Sequence, residues 1–168
     1  MVIISNYSKE YIDNKIYIRS EEESVCPVCF SGLFVIGSKH RKVIDQEVVK
    51  QTYVIRRLRC KGCKSIHHEL PDVIVPYKRH CAETIEQAIS EETSDAVNTV
   101  SAISRHTVRR IKKWWNSMSV YFDGIVAAVT FRYGCPREAI SRPREVMCAV
   151  VNTHNWVHTR SVQLSMQQ

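Results

Sequence analysis

The first half of the chain alternates apolar and polar positions over short stretches. An apolar run opens residues 33–44, and residues 48–59 alternate, with Tyr53 and Ile55 between polar neighbours. A period of two places successive side chains on opposite faces of a sheet, so residues 48–59 are predicted to be a strand. The apolar run at residues 33–36 predicts a strand in the first stretch. The polar residues 45–47 lie between the two stretches and predict the turn of a β-hairpin.

The second half of the chain instead shows helical spacing. Between residues 104 and 119 apolar side chains recur every three or four positions, and Ser104 stands where it can cap a helix. Weaker patterns predict further helices at residues 82–90, 94–100 and 121–131, and from Pro143 to about residue 155. Residues 1–24 mix β-forming residues with an acidic run, which predicts an arm or a short strand.

Two Cys-x-x-Cys pairs bracket the predicted hairpin: Cys26 and Cys29 precede it, and Cys60 and Cys63 follow it. Such a turn directs two thiolates at one tetrahedral ion about 2.3 Å from each sulfur, and two turns complete a four-cysteine shell. This shell has no position for water, so it predicts one structural Zn²⁺ per chain. Buried or disulfide-bonded cysteines would not explain the repeated spacing. A redox pair is disfavoured because no βαβ pattern surrounds either pair.

Two features of the cysteine module leave alternatives for this site. Zinc-ribbon knuckles usually carry glycine after the second cysteine, where a positive φ costs little, but Phe30 and Lys64 occupy those positions here. His67, His68 or His80 could supply a ligand if one cysteine did not, although four cysteines are already available. The spacing therefore predicts the four-cysteine site more strongly than it predicts the knuckle geometry.

Positive charge is concentrated in two parts of the chain. The sequence has 24 Lys and Arg against 17 Asp and Glu, which gives a formal net charge of +7. Residues 25–81 carry eleven cations and four anions, and residues 104–118 carry five cations and no anion. The charge therefore lies in the cysteine module and in one helix, which indicates a polyanionic partner.

The basic helix is preceded by the pattern of a helix-turn-helix. The short helix 94–100 and the tight link 101–103 lead directly into it. In that arrangement the basic helix enters the major groove of double-stranded DNA by its N-terminal half. The residues predicted to contact base edges or phosphates are Arg105, His106, Arg109, Arg110, Lys112 and Lys113. The alternative is a solvated, Lys- and Arg-rich face on an ordinary bundle helix.

Several stretches around the cysteines are similar to known bacterial sequences. Residues 26–29, 56–63 and 67–71 resemble the N-terminal zinc-ribbon module of certain insertion-sequence transposases, in which a ribbon precedes a helix-turn-helix and a DDE nuclease domain. The run 69–80, with parts of the basic helix and the C-terminus, is similar to a family of stand-alone bacterial proteins without an assigned activity. The resemblance implies architecture only. After Ser119 the 168-residue chain has 49 residues and three acids left, too few for a DDE core.

These observations predict an α+β protein, in which an N-terminal zinc ribbon is followed by a small all-α helix-turn-helix bundle. The expected parts are an arm at residues 1–24, the ribbon and its connector at 25–81, the helix-turn-helix at 82–119 and a C-terminal helical segment at 120–168. The last helix is expected to pack on the Trp114 and Trp115 end of the basic helix, because so short a helix is marginal alone.

The expected function is zinc-dependent DNA binding without catalytic activity, in a regulatory or mobile-element role. The alternative is a zinc-ribbon adaptor that binds a protein partner and makes no DNA contact, and a homodimer is compatible with either. No apolar run approaches the roughly 20 residues of a membrane span, and residues 1–10 lack the features of a signal peptide. Seven cysteines, four of them in metal-type pairs, suit a reducing cytoplasm.

Overall fold

The computed structural model describes residues 1–90 and 103–155, which contain six β-strands, three α-helices and one short 3₁₀-helix. The strands are β1 (Val2–Ile4), β2 (Tyr7–Ile12), β3 (Lys15–Ser20), β4 (Leu33–Ile44), β5 (Lys50–Cys60) and β6 (Ile66–Pro71). The helices are α1 (Ala82–Ser90), α2 (Arg105–Tyr133) and α3 (Pro143–Asn152), and the 3₁₀-helix spans Arg137–Ile140. In this part of the chain no helix is both long and apolar enough to cross a membrane.

Strand β5 lies at the centre of one mixed sheet. Along one edge it pairs antiparallel with β4 over its whole length. Two strands share its other edge: β3 runs parallel to it at Tyr53 and Val54, and β6 runs antiparallel to it at residues 57–59. Strand β2 extends the sheet beyond β3, and β1 pairs parallel with β6. Five strands are therefore positioned directly or through one neighbour by β5.

The predicted hairpin is confirmed as β4 and β5, but the predicted fold class, a small zinc ribbon followed by an all-α bundle, is wrong. The hairpin is part of a six-stranded sheet, to which residues 1–24 contribute three strands and the predicted connector contributes β6. The physical reason is that a two-stranded hairpin cannot bury a face by itself. Ile16 and Ile18 of β3 add to Tyr53 and Ile55 of β5, and together they form an apolar surface for the helices.

Helix α2 begins where the sequence predicted and ends much later. The side chain of Ser104 accepts a hydrogen bond from the backbone N–H of Thr107 at 3.3 Å, which confirms the predicted N-cap. The helix continues to Tyr133 and ends at Gly134, which adopts the left-handed conformation with φ of 65°. Glycine takes this conformation without the steric penalty of a side chain, so it stops the helix cleanly.

The predicted end of this helix at residue 119 is wrong, and residues 121–131 are not a separate helix. Buried side chains continue along one face at intervals of three or four residues, through Met118, Phe122 and Ile125. The segment contains no proline, and its single interior glycine costs only about 1 kcal/mol. Packing of the continuous apolar face therefore keeps one long helix.

The helices pack on one face of the sheet and on each other. Helix α2 contacts both α1 and α3, and α3 also contacts β1. The predicted contact of the last helix with α2 is confirmed, and Val146 and Val150 of α3 are buried in the same extended apolar cluster as Trp114. A hydrogen bond that joins the end of this helix to α2 is donated by the hydroxyl of Tyr121 to the carbonyl oxygen of Asn155. Two predicted features lie outside the described residues: the first helix of the helix-turn-helix, at 94–100, and Trp156.

A buried ion pair joins β5 to β6. The Glu69 side chain is 1% exposed and accepts two hydrogen bonds from Arg56, at 2.5 Å from Nε and 2.8 Å from Nη2. The hydroxyl of Ser24 donates a third hydrogen bond to this carboxylate at 2.9 Å. Because the Arg56 side chain is 33% exposed, water still reaches the guanidinium, whereas Glu69 depends on its protein partners.

Replacing Arg56 by alanine should therefore cost more stability than replacing Glu69 by glutamine. Arg56→Ala leaves a buried carboxylate with one partner, and we expect it to lower the free energy of unfolding by about 3–5 kcal/mol. Glu69→Gln keeps the bond from Ser24 and leaves an arginine that water can reach, so about 1–2 kcal/mol is expected. Urea unfolding measures both losses, and equal losses would contradict this asymmetry.

Candidate metal centre and basic surface

Two tight turns bring the cysteine pairs together at the open end of the β4–β5 hairpin. In the first turn, the N–H of Phe30 donates to the carbonyl oxygen of Cys26 at 2.8 Å. The N–H of Cys26 in turn donates to the carbonyl oxygen of Ser31 at 2.9 Å. In the second turn, the N–H of Cys60 donates to the carbonyl oxygen of Ser65 at 3.0 Å. These bonds fold each Cys-x-x-Cys segment so that its thiols face one shared point.

Both knuckles contain a residue with positive φ at the position where glycine is usual, although neither residue is a glycine. Phe30 has φ of 58° and Lys64 has φ of 62°, both in the left-handed region. For a residue with a side chain this conformation costs about 1–2 kcal/mol. The departure from the usual ribbon pattern is therefore one of residue type, while the positive φ after the second cysteine is retained.

The four cysteine sulfurs lie close enough to share one metal ion. The sulfurs of Cys29 and Cys60 are 3.4 Å apart, those of Cys26 and Cys63 are 3.6 Å apart, and all four lie within 4.8 Å of one another. Sulfurs bound at about 2.3 Å to a tetrahedral ion are about 3.8 Å apart, so the cluster has the dimensions of such a site. Over residues 1–90 and 103–155, these cysteines form the cluster that could hold a metal ion.

Burial and local hydrogen bonds divide the thiols into two kinds. Cys29 and Cys63 are exposed, and Cys26 is buried. Hydrogen bonds with Ser31 lower the pKa of Cys29 to about 5, and hydrogen bonds with Ser65 lower the pKa of Cys63. Burial instead raises the pKa of Cys26 to about 11. The Cys29 thiol is therefore ready to bind a cation at neutral pH, and Cys26 would lose its proton on binding a metal.

His67 lies beside the cluster but is not one of its members. Its ring is buried, with Nε2 at 3.4 Å from the sulfur of Cys26. Burial lowers the pKa of His67 and favours the neutral ring, and when Cys26 is a thiolate the Nε2–H can donate to it. His68 follows in β6 and faces the opposite side of the sheet. Neither His68 nor His80 is part of the cysteine cluster.

Gly62, to which the sequence analysis gave no role, lies where the two turns meet. A Cβ at this position would lie 2.5 Å from Oγ of Ser31 and 3.2 Å from the sulfur of Cys29. A Cβ at Gly32 would meet only the side chain of Lys61, at 3.9 Å. The close approach of the two turns therefore requires the missing side chain at residue 62. The sequence signal was a glycine between two ligand cysteines.

Gly62→Ala should weaken metal binding, because the added methyl group pushes the first turn and the sulfur of Cys29 away from the other sulfurs. We expect at least a tenfold rise in the Kd for the metal, the size of effect seen when residues that support metal ligands are changed. Gly32→Ala is the matched control, since its methyl group meets no tight contact. Competition titration with a chelator measures both affinities. Equal affinities for the two variants would show that this contact does not position the ligands.

The residues predicted to contact DNA lie together at the N-terminal end of α2. Five of the six are exposed, and Lys112 is half-buried and engaged within the protein. On the other side of this helix end, Ile111 and Trp114 are buried in the core. The cations here that form no ion pair with any described residue are Arg105, Arg109, Arg110 and Lys113.

Lys78 connects the basic end of α2 to strand β4. Its Nζ lies 3.6 Å from the centre of the Trp114 ring, and burial followed by the charge of Arg110 lowers the pKa of Lys78 to about 8. Its carbonyl oxygen accepts a hydrogen bond from Nη2 of Arg41 at 2.8 Å. Cations of α2, of the segment before α1 and of β4 are therefore neighbours in one region.

The cysteine cluster and the basic end of α2 lie apart. Pro27 and Phe30 of the first knuckle line a groove of about 470 Å³ together with residues of the C-terminal half of α2, between Val120 and Tyr133. The predicted DNA contacts at residues 105–113 lie about 25 Å away along the helix axis, at 1.5 Å per residue. The fold therefore does not combine the two predicted groups into one site.

The fold and the cluster define a class of protein in which a four-cysteine, metal-competent site closes one end of a mixed sheet covered by helices. Residues 26–111 match a family described as a domain of unknown function (DUF6431), and the chain belongs to this family. The matched region runs from the first cysteine of the cluster into the basic part of α2, and it gives no link to transposases or zinc ribbons. No curated protein and no solved structure matches the chain.

Proposed function

We propose that this protein is a zinc-dependent, non-catalytic DNA-binding protein, in which the metal stabilises the fold and α2 contacts double-stranded DNA. The observation that carries the proposal is the N-terminal half of α2. It exposes four unpaired cations and His106, and residues 104–118 contain no acid. An exposed helix end with arginines on successive turns suits the width of the major groove and the acceptor atoms of guanine.

Zinc is the ion that we propose for the cysteine cluster. Four thiolates arranged around one point favour Zn²⁺, whereas Mg²⁺ and Ca²⁺ prefer oxygen ligands. All four ligand positions would be taken by the protein, so no position remains for water or a substrate and the role is structural. Thiolate ligands must stay reduced, which is consistent with the proposed cytoplasmic location.

The purified protein should contain about one zinc ion per chain, and Cys60→Ser should lose it. With free zinc at about 1,000 times its Kd, binding contributes about 4 kcal/mol to stability, and this contribution disappears in the variant. Cys135→Ser is the matched control, because Cys135 is exposed and outside the cluster. Elemental analysis and thermal unfolding provide the measurements. The proposal fails if zinc-free protein unfolds at the same temperature, or if the protein shows the absorption of an iron–sulfur cluster.

The exposed residues of α2 divide by their position. Arg105, His106 and Arg109 lie in the first turns, where a helix that enters the groove by its N-terminus meets base edges. Arg110 adjoins Lys78 at the sheet side, so it is better placed for a phosphate than for a base. Lys113 lies further along the helix, and as a compact point charge it suits a phosphate oxygen.

Replacing the arginines of α2 should show whether they contact the edges of the bases. Arg105→Ala or Arg109→Ala should weaken binding to a preferred duplex by about 1–3 kcal/mol and relax base preference. Each change removes an arginine that can donate two hydrogen bonds to one base. Lys113→Gln should weaken all duplexes alike and reduce the slope of log K against log salt by about 0.9. Arg19→Ala is the control, since Arg19 is exposed but paired with Glu10 on another strand. Selection from a random duplex library, followed by titration at several salt concentrations, gives these values.

A second candidate function is a protein-interaction adaptor that makes no DNA contact. The observation that favours it is the groove between the first knuckle and the C-terminal half of α2, where Phe30 is 65%, Val120 is 73% and Tyr133 is 56% exposed. Apolar side chains grouped in this way are a common feature of protein-binding surfaces. If the double change at Arg105 and Arg109 leaves duplex binding intact at physiological salt, the DNA proposal fails and the adaptor replaces it.

A further inference from the structure

A second group of cations lies on the sheet, away from α2. Residues that pair directly across strands share one face of a sheet, and so do residues two apart along a strand. In β5, Arg57 lies between Gly37 of β4 and His68 of β6, and the next row on the same face is centred on Arg59. We define the basic sheet surface as the side chains of these two rows together with Lys39, which lies on the same face of β4 in the next row, opposite Ile55. Its members are Phe34, Lys39, Arg57, Arg59, Ile66 and His68.

The helices leave the basic sheet surface uncovered. Nearer the hairpin turn, Tyr53 and Ile55 occupy the same face of β5 and are buried in the cluster shared with the helices. The cover by the helices ends towards the cysteines, where Phe34 is 42% exposed, Ile66 is 52% exposed and Arg59 is exposed as well. Between the buried and the exposed rows, Arg57 and His68 are half-buried. The same face of one strand is therefore core at one end and open surface at the other.

The middle of this surface offers room for a ligand. A Cβ added at Gly37 would have no heavy atom within 4 Å, so the space over this row is open. His68 pairs directly across from Arg57, and burial followed by the positive charges of Lys39 and Arg57 lowers the pKa of His68. Basic side chains therefore surround a position that has no side chain of its own.

The cations of this surface lack a counter-charge. No carboxylate among residues 1–90 and 103–155 pairs with Lys39, Arg57 or Arg59. Arg56, the next residue of β5, faces the other side of the sheet and is neutralised by the buried Glu69. Neighbouring cations without an anion repel one another, so a bound anion relieves this repulsion.

The basic sheet surface is continuous with the basic end of α2. Arg41 lies two residues beyond Lys39 on the same face of β4, and it donates to the carbonyl oxygen of Lys78. The Nζ of Lys78 lies 3.6 Å from the centre of the Trp114 ring, one helical turn along α2 from Arg110, whose charge lowers the pKa of Lys78. The rows from Arg59 down to this junction span about 20 Å along the strands, at 3.3 Å per residue. A duplex backbone with a phosphate every 3.4 Å along each strand could contact both ends of this path.

We infer that the basic sheet surface is a second phosphate-binding site, which holds the backbone of the same DNA duplex that receives α2 in its major groove. This inference rests on the proposed function and adds that DNA is bound at two places on the protein. Lys39 and Arg57 bind phosphates, and Gly37 allows the sugar–phosphate backbone to approach the sheet closely. The sheet contacts contribute affinity and orientation, and α2 contributes sequence preference.

The test compares two double variants of the zinc-loaded full chain on one selected duplex at several salt concentrations. Lys39→Gln/Arg57→Gln removes two charges from the surface. Lys9→Gln/Lys50→Gln is the matched control, because both lysines are exposed and lie outside the surface. We expect the first variant to flatten the slope of log K against log salt by about 1.8 and to weaken binding about 30-fold at about 0.15 M salt. The control should keep the slope of the unchanged protein.

A single variant checks that weaker binding is not caused by misfolding of the double variant. Lys39→Gln changes one exposed side chain without an ion pair, so its zinc content should be unchanged and its slope should fall by about 0.9. Both Lys39 variants must also retain the base preference of the unchanged protein, because α2 is untouched. A loss of preference together with affinity would contradict a purely phosphate-binding role.

The remaining outcomes separate this inference from the function on which it rests. If Arg105→Ala/Arg109→Ala weakens duplex binding but Lys39→Gln/Arg57→Gln behaves like its control, the sheet does not bind DNA and only this inference fails. If the sheet variant loses single-stranded but not duplex binding, the surface binds a single strand and the inference is again wrong. If the unchanged protein binds no duplex, the proposed function fails first and this inference with it.

Discussion

At the open end of the β4–β5 hairpin, four cysteine sulfurs approach one another to within 4.8 Å, two from the turn before β4 and two from the turn that begins as β5 ends. Thiolates held this close repel each other unless a cation lies between them. A shared ion would therefore connect two chain segments that are about thirty residues apart and fix the register of the hairpin. Since β3, β4 and β6 all pair with β5, fixing β5 also positions the strands on which the helices pack.

The pleat of β5 separates structural contacts from exposed charge. On one face, Arg56 reaches the buried Glu69, and Leu58 is buried near the cysteine end. On the other face, Arg57 and Arg59 find no carboxylate among the described residues. Neighbouring arginines of one strand thus differ in whether they have an anionic partner, because successive side chains of a strand face opposite sides of the sheet. Net charge alone could not have distinguished them.

The acidic residues of the chain are used differently from the basic ones. Arg144 of α3 lies 3.4 Å from Asp72 and 2.5 Å from Glu83, and its backbone N–H donates to Glu86 at 2.9 Å. These contacts join α3 to α1 and to the segment after β6, so three carboxylates are bound to one arginine inside the protein. The excess of positive charge therefore remains on the exposed end of α2 and on the open part of the sheet, where a polyanion can reach it.

The amino-acid sequence by itself determined the features that depend on near neighbours. Cysteine pairs with two residues between them specify a four-sulfur site, because metal ligation constrains each turn locally. Ser104 marks a helix start because capping involves the next three residues. The hairpin followed from an apolar run, a polar turn and one alternating stretch. None of these features requires knowledge of distant parts of the chain.

The tertiary structure decided everything that depends on distant pairing. Strand β1 pairs with β6 although the paired residues Val2 and Glu69 are more than sixty positions apart. The local pattern of apolar and polar residues does not identify so distant a partner. The continuation of α2 to Tyr133 depends on a core supplied by the other helices. Gly37, Arg57 and His68 become neighbours only because β4, β5 and β6 pair in one register. Pairing of remote strands is stabilised by burial of the completed sheet, a property of the whole fold that short-range patterns do not contain.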